Sequence, residues 1–213
     1  MRTMMVAVLA LALAPTALPF RRHHAKQSSG VAGNFDFYLL VLSWSPEFCY
    51  SHANAAECSQ HKGFLVHGLW PQNNDGTYPQ NCQTNQPAPT SPESMSDLMP
   101  SEIVRHEWLT HGTCSGLSGD NYFALIRKLY NSIRIPDGLK QPSKSATLST
   151  SAMKRDFEQA NSQLRDDAIV VQLRGNYLNS VQFCESKSSS PTPVACSGLH
   201  DTRQGTFVVP PVR

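Results

Sequence analysis

The sequence predicts an α+β fold in one domain. Segments of strand character come first and last, with helical segments between them. That order lacks the regular strand–helix alternation of a doubly wound sheet. A chain of 213 residues is long enough to bury one substantial core. Six cysteines behind an apolar leader add that the fold is stapled by disulfides.

The leader opens the chain. Arg2 precedes an apolar run from Met4 to Ala14, and Ala12-Leu13-Ala14 fits a small-x-small cleavage site. We read residues 1–20 as a secretory signal peptide, too short to span a bilayer. Arg21, Arg22, His23 and His24 oppose export and leave the cleavage point open. Residues 21–33 are expected to form a flexible basic linker, and 34–213 a single folded domain. The protein is expected to be secreted or periplasmic, monomeric, and free of the membrane once the leader is removed.

Phe35 to Ser43 alternates in aromatic and aliphatic residues and predicts a central strand. Pro46 then forces a turn over Trp44–Cys49. Phe64 to Leu69, between Gly63 and Pro71, predicts a buried strand with one polar insertion, His67. Residues 72–92, dense in Asn, Gln, Thr and Pro, predict a surface loop anchored by Cys82.

Ser101 is placed to cap a helix running through Thr110, with Ile103, Val104, Trp108 and Leu109 as apolar contacts. Gly112 is placed to end it in a left-handed cap. Asp120 is placed to cap the next helix. Its stripe of Tyr122, Leu125, Ile126, Leu129 and Ile133 is core, and Pro136 and Gly138 end it. Thr150 or Ser151 starts a third, carrying Met153, Phe157 and Ala160. Ala168–Leu173 and Tyr177–Cys184 predict a hairpin turning at Gly175-Asn176. Phe207–Val209 predicts a last edge strand before Pro210-Pro211.

Composition restricts function only weakly. A net charge of +2 is too small to indicate nucleic-acid binding by itself. Cys-x-x-Cys is absent, which disfavours zinc ribbons and thioredoxin chemistry. Cys49 lies close to Cys58, and Cys184 to Cys196, but spacing alone does not choose among the pairings of six cysteines.

The most informative stretch is residues 105–114, Arg-His-Glu-Trp-Leu-Thr-His-Gly-Thr-Cys. On a helix, Glu107 and His111 fall about 40° apart on one face, with His106 round the side. The carboxylate is expected to orient the His111 imidazole and raise its proton affinity. A zincin site needs histidines four apart. His106 and His111 are five apart, about 140° round a helix, too far for one ion.

Residues 61–71 supply another histidine, in His-Lys-Gly-Phe-Leu-Val-His-Gly-Leu-Trp-Pro. Together FLVHGLWP and HEWLTHGTC resemble the two active-site segments of the ribonuclease T2 family. FDFYLLVLSWSPEFC and YFALIRKLY extend the likeness.

The resemblance implies a mainly antiparallel central sheet packed with helices, with the site on its face. It implies an endoribonuclease acting on single-stranded RNA without metal or cofactor. The RNA's own 2′-hydroxyl attacks phosphorus and forms a 2′,3′-cyclic phosphate. By that likeness His111 is the base, His67 the acid and Glu107 a third catalytic residue. His106 and Trp70 bind substrate, Trp70 by stacking on a base. Histidine suits both proton transfers because its pKa, about 6.5, lies near neutrality. The pairing implied is Cys49–Cys58, Cys82–Cys114 and Cys184–Cys196.

One residue departs from the family pattern. The family usually carries lysine before the second histidine, where this chain has Thr110. Lys62 and Arg105 are candidate substitutes for its charge. Two rival readings follow: a weak or inactive RNA-binding or storage relative, and a metal-dependent hydrolase using His61, His67, His106 and His111.

Overall fold

The structure is a computed structural model that describes residues 27–213. The expected leader, and the basic stretch as far as residue 26, lie outside the described residues. The expected linker does not extend to residue 33. Gln27–Val31 instead form β1, which pairs in parallel with β4 (Tyr78–Gln83). The predicted loop over 72–92 therefore contains a strand.

The sheet is built on β2 (Phe37–Trp44). It pairs antiparallel with β3 (Phe64–Gln72) on one side and with β7 (Tyr177–Ser186) on the other. Alternation along β2 feeds two apolar layers. Tyr38, Leu40, Leu42 and Trp44 point into the main core. Phe37, Leu39 and Val41 enter a smaller cluster with Val170 and the Cys184–Cys196 disulfide. A strand buried on both faces belongs in the middle of a sheet, and β2 is in the middle.

β6 (Ile169–Arg174) makes the expected hairpin with β7, turning at Gly175, whose φ of 59° is left-handed. β8 (Thr206–Val209) is not an edge. It lies between β7 and β5 (Ala146–Ser149), a short strand whose exposed positions gave no alternating signal. Apart from a single β7–β8 register pair, Tyr177 with Val208, the pairing in this sheet is antiparallel.

Helices cover the main core. α1 (Ser45–Ser51) stands where a turn was expected at Pro46. Proline in a first helical turn loses no hydrogen bond, so it opens this helix rather than breaking the chain's path. α2 (Ser101–Thr110) starts behind Pro100, without a side-chain cap from Ser101. α3 (Gly119–Ser132) is capped by Ser118, whose hydroxyl accepts from the Asn121 N–H. Asp120 instead accepts from the backbone and hydroxyl of Thr90. Tyr122, Ile126 and Leu129 of α3 are buried at helical spacing. Each such side chain contributes about 1.5–3 kcal/mol. α3 stops at Ser132, and a short α4 (Asp137–Lys140) follows Pro136. α5 (Thr150–Ala160) is capped by Ser149 and buries Met153 and Phe157.

The cysteines are joined as Cys49–Cys58, Cys82–Cys114 and Cys184–Cys196. The middle bond ties β4 to the 3₁₀ turn Gly112–Ser115 that follows α2. No helix among the described residues is long and apolar enough to cross a membrane.

Candidate active site

The site begins with an irregularity in β3. Val41 pairs with Gly68, but the next residue, Leu42, pairs with Val66, so His67 is the extra residue of a β-bulge. Strict alternation would put His67 and Trp70, three positions apart, on opposite faces. The bulge restores both to one face, with ring centroids 5.5 Å apart and planes nearly perpendicular. It also turns Leu69 into the core together with Val66. The Tyr122 hydroxyl donates to the Leu69 carbonyl at 2.8 Å and pins the strand there.

α2 delivers Glu107 against this face. Its Oε2 accepts from the Trp70 indole N–H at 2.9 Å, and its Oε1 lies 3.5 Å from His67 Nε2, without hydrogen-bond geometry. The other ring nitrogen of His67, Nδ1, meets the Ser43 hydroxyl at 3.2 Å. The carboxyl is fully buried, and burial pushes its pKa up to about 8 against the opposing Trp70 hydrogen bond. Burial, then the nearby His106, holds the His67 pKa below the usual histidine range.

His111 does not receive the carboxylate of Glu107. α2 ends at Thr110, and at His111 φ is −115°, so the imidazole leaves the helical face on which an i,i+4 pair would meet. Only the His111 backbone N–H bonds to Glu107, through its carbonyl at 3.0 Å. The imidazole stacks on Trp70, centroids 5.0 Å apart and planes 27° from parallel. Its proton affinity is lowered, not raised. Burial, then His106 and His67, push its pKa down to about 3. Its Nδ1 is buried without a hydrogen-bond partner.

His67, Trp70, Glu107 and His111 thus form one cluster. His106 sits on the exposed flank of α2, with Nδ1 3.4 Å from the Thr110 hydroxyl. Its influence on both site histidines is electrostatic. Lys62 is engaged elsewhere, donating to the Asp97 carbonyl at 2.6 Å. His61 contacts the carbonyl of Arg213, away from the cluster. Among the described residues no group of three or more His, Cys, Asp or Glu is arranged to hold a metal ion.

Two participants escaped the sequence reading. Gly68 has no side chain because Glu107 fills that space: a Cβ there would fall 1.9 Å from Oε2. A glycine inside a strand is a known signal of a bulge or close approach, and it was available in the sequence. Ser43 had no such signal, since only strand pairing brings it to His67.

Gly112 also has a packing reason. It is not left-handed; Gly116, with φ of 77°, is. A Cβ on Gly112 would come within 2.4 Å of the Trp108 ring.

Known proteins resemble this chain in sequence and in fold. A family model described as the ribonuclease T2 family matches residues 35–196. A ribonuclease of Aeromonas hydrophila is 41% identical over 124 residues, covering 57% of this chain and 57% of the relative. Ribonuclease DdI of Dictyostelium discoideum is 30% identical over 179 residues, covering 76% of this chain and 78% of that one. The chain therefore spans little more than half the length of the Aeromonas relative. In fold it is similar to an RNase-related protein from Calystegia sepium, with a TM-score of 0.66, 21% identity, and 84% and 98% of the two chains covered. It is likewise similar to ribonuclease MC1 from bitter gourd seeds, with a TM-score of 0.63, 24% identity, and 81% and 99% covered. The family match contains both histidine motifs and every cysteine, and the chain belongs to the ribonuclease T2 family.

Proposed function

We propose that this protein is a metal-independent endoribonuclease that cuts single-stranded RNA through a 2′,3′-cyclic phosphate. The observation that carries the reading is that His67 and His111 both pack against Trp70, one edge-on and one stacked, while the Trp70 N–H holds Glu107 beside them.

The chemistry needs a base for the 2′-hydroxyl proton and an acid for the departing 5′-oxygen. Each contributes about 10²–10⁴-fold when well placed. His111 suits the base. By the family likeness it takes the 2′-hydroxyl proton; burial holds it in the neutral form that can accept one, and its low proton affinity has to rise when the anionic substrate arrives. His67 suits the acid. Its side chain is 40% exposed, so it gains a proton more readily than His111 when a phosphodiester anion arrives. The two exchange roles when water opens the cyclic phosphate.

Glu107 acts as a neutral carboxyl in the free site. A protonated acid donates a hydrogen bond to a phosphoryl oxygen and does not repel it. Trp70 positions Glu107 through its N–H and His111 through its ring. One face of the indole is thereby occupied, so a stacked base uses the other. Thr110 adds no charge here, which limits stabilisation of the phosphorane and favours modest turnover. A weak or inactive RNA-binding relative is the second reading, and Thr110 is the residue that favours it.

We further propose that the protein works outside the cytoplasm, secreted or periplasmic, where its three disulfides are stable. Turnover of single-stranded RNA in EDTA tests the assignment. Cleavage at an undiminished rate supports it. Binding without cleavage selects the inactive reading, and cleavage abolished by EDTA selects a metal hydrolase.

A further inference from the structure

A cleft of about 430 Å³ opens beside the cluster. His67, Trp70 and Ile103 border it on one side, and Gln172, Arg174 and Asn179 of the β6–β7 hairpin on the other. His67 borders the cleft and His111 does not. If His67 protonates the leaving oxygen, the leaving part of the RNA strand enters here.

Arg174 is the arginine of this cleft, and its one charged neighbour among the described residues is Glu47. Its Nε lies 3.6 Å from Glu47 Oε1, and Asn179 Nδ2 donates to Glu47 Oε2 at 3.3 Å. The Glu47 side chain is 9% exposed, the Arg174 side chain 56%. A buried carboxylate on α1 thus lies beside the inner edge of the guanidinium as a long ion pair. Its two terminal nitrogens make no hydrogen bond among the described residues. Such a fork matches two phosphate oxygens. The acid bordering the cleft, Glu57, accepts from the Ser45 hydroxyl at 3.1 Å, and burial holds it toward its neutral form.

We propose that Arg174 binds the phosphate that follows the scissile one, on the leaving side of the cut. The proposal rests on the ribonuclease reading and on His67 as the acid. Arg174 does not replace the charge missing at Thr110; it holds the strand one phosphate further along. The enzyme should therefore prefer substrates that extend past the leaving nucleoside.

The test compares a dinucleoside monophosphate with a trinucleotide that adds one phosphate and one nucleoside on the leaving side. The readout is the ratio of their kcat/KM values, which cancels any general effect of substitution on the fold. Arg174→Gln should lower the ratio about tenfold, through KM, which is what one charged hydrogen-bonding contact supplies. Arg174→Lys should retain most of it. The salt dependence of trinucleotide binding should become shallower by ~0.7 in log–log slope in Arg174→Gln. A ratio in Arg174→Gln equal to that of the unaltered protein overturns the proposal. If the unaltered protein cleaves neither substrate, the ribonuclease reading itself fails, and the proposal with it.

Discussion

The indole N–H of Trp70 donates to the buried Oε2 of Glu107 at 2.9 Å, and the same indole stacks on His111. One side chain from β3 therefore fixes two groups from α2. Trp70→Phe keeps the ring and removes the donor, leaving a buried carboxyl oxygen unsatisfied. It should cost about 1–3 kcal/mol in urea denaturation. Its kcat should fall more than its KM rises. Trp70→Ala should impair the chemical step as well as binding, because the ring also seats His111.

Gly68→Ala tests the approach of helix to strand. The added carbon would lie 1.9 Å from Glu107 Oε2, so the carboxyl must move. A displacement of that size at a reacting group lowers turnover on the order of 10²-fold. Steady-state kinetics with a folded variant checks this, and near-normal kcat would show that Glu107 need not occupy its observed place.

Stability should carry the mark of the buried cluster on both sides of a plateau between about pH 4.3 and 6.5, where the two effects oppose each other. Glu107 has a folded pKa of about 8, against about 4.3 unfolded. The folded state holds the extra proton between those values, so its contribution is lost as pH rises from 4.3 to 8. His111 has a folded pKa of about 3, against about 6.5 unfolded. There the unfolded state holds the extra proton, so stability is lost as pH falls from 6.5 to 3. Glu107→Gln should flatten the alkaline limb of a denaturation–pH profile, and His111→Asn the acidic one. Limbs unchanged by these substitutions would mean that neither group is held neutral.

Much of the framework was legible as periodicity. The α3 stripe and the β6–β7 hairpin each repeat at their own spacing over enough residues to be read locally. α1 was not legible, because Pro46 is equally at home in a turn and in a helix's first turn. His67, Trp70, Glu107 and His111 were legible as motif residues, but the wiring between them was not, His106 stays outside the cluster, and Ser43 had no signal. An i,i+4 rule assigns Glu107 to His111, but the rule holds only within regular helix, and His111 is the C-cap, its φ turned to −115°. Glu107 instead meets β3, a partner distant in sequence. The bulge at His67 is visible only once β2 sets a register, although Gly68 marked the place.

The Cys82–Cys114 bond should hold the end of α2 and the turn after His111 in place. Peptide mapping of the unreduced protein should recover Cys49–Cys58, Cys82–Cys114 and Cys184–Cys196. Replacing Cys82 and Cys114 together by alanine should cost about 2–5 kcal/mol. Recovery of any other pairing would contradict the arrangement of β4 against the site.

His67→Ala and His111→Ala should each remove most cleavage, on the order of 10²–10⁴-fold, with the fold intact by circular dichroism. A variant that keeps near-normal turnover removes that histidine from the mechanism.

The most direct measurement follows the products of one single-stranded RNA in EDTA by ³¹P NMR, beside the same substrate with a 2′-deoxyribose at the cut. The account predicts a 2′,3′-cyclic phosphate signal that appears before the phosphomonoester, and no cleavage at the deoxy position. Cleavage at the deoxy position, or a phosphomonoester formed with no cyclic precursor, would contradict attack by the 2′-hydroxyl and the roles given to His67 and His111.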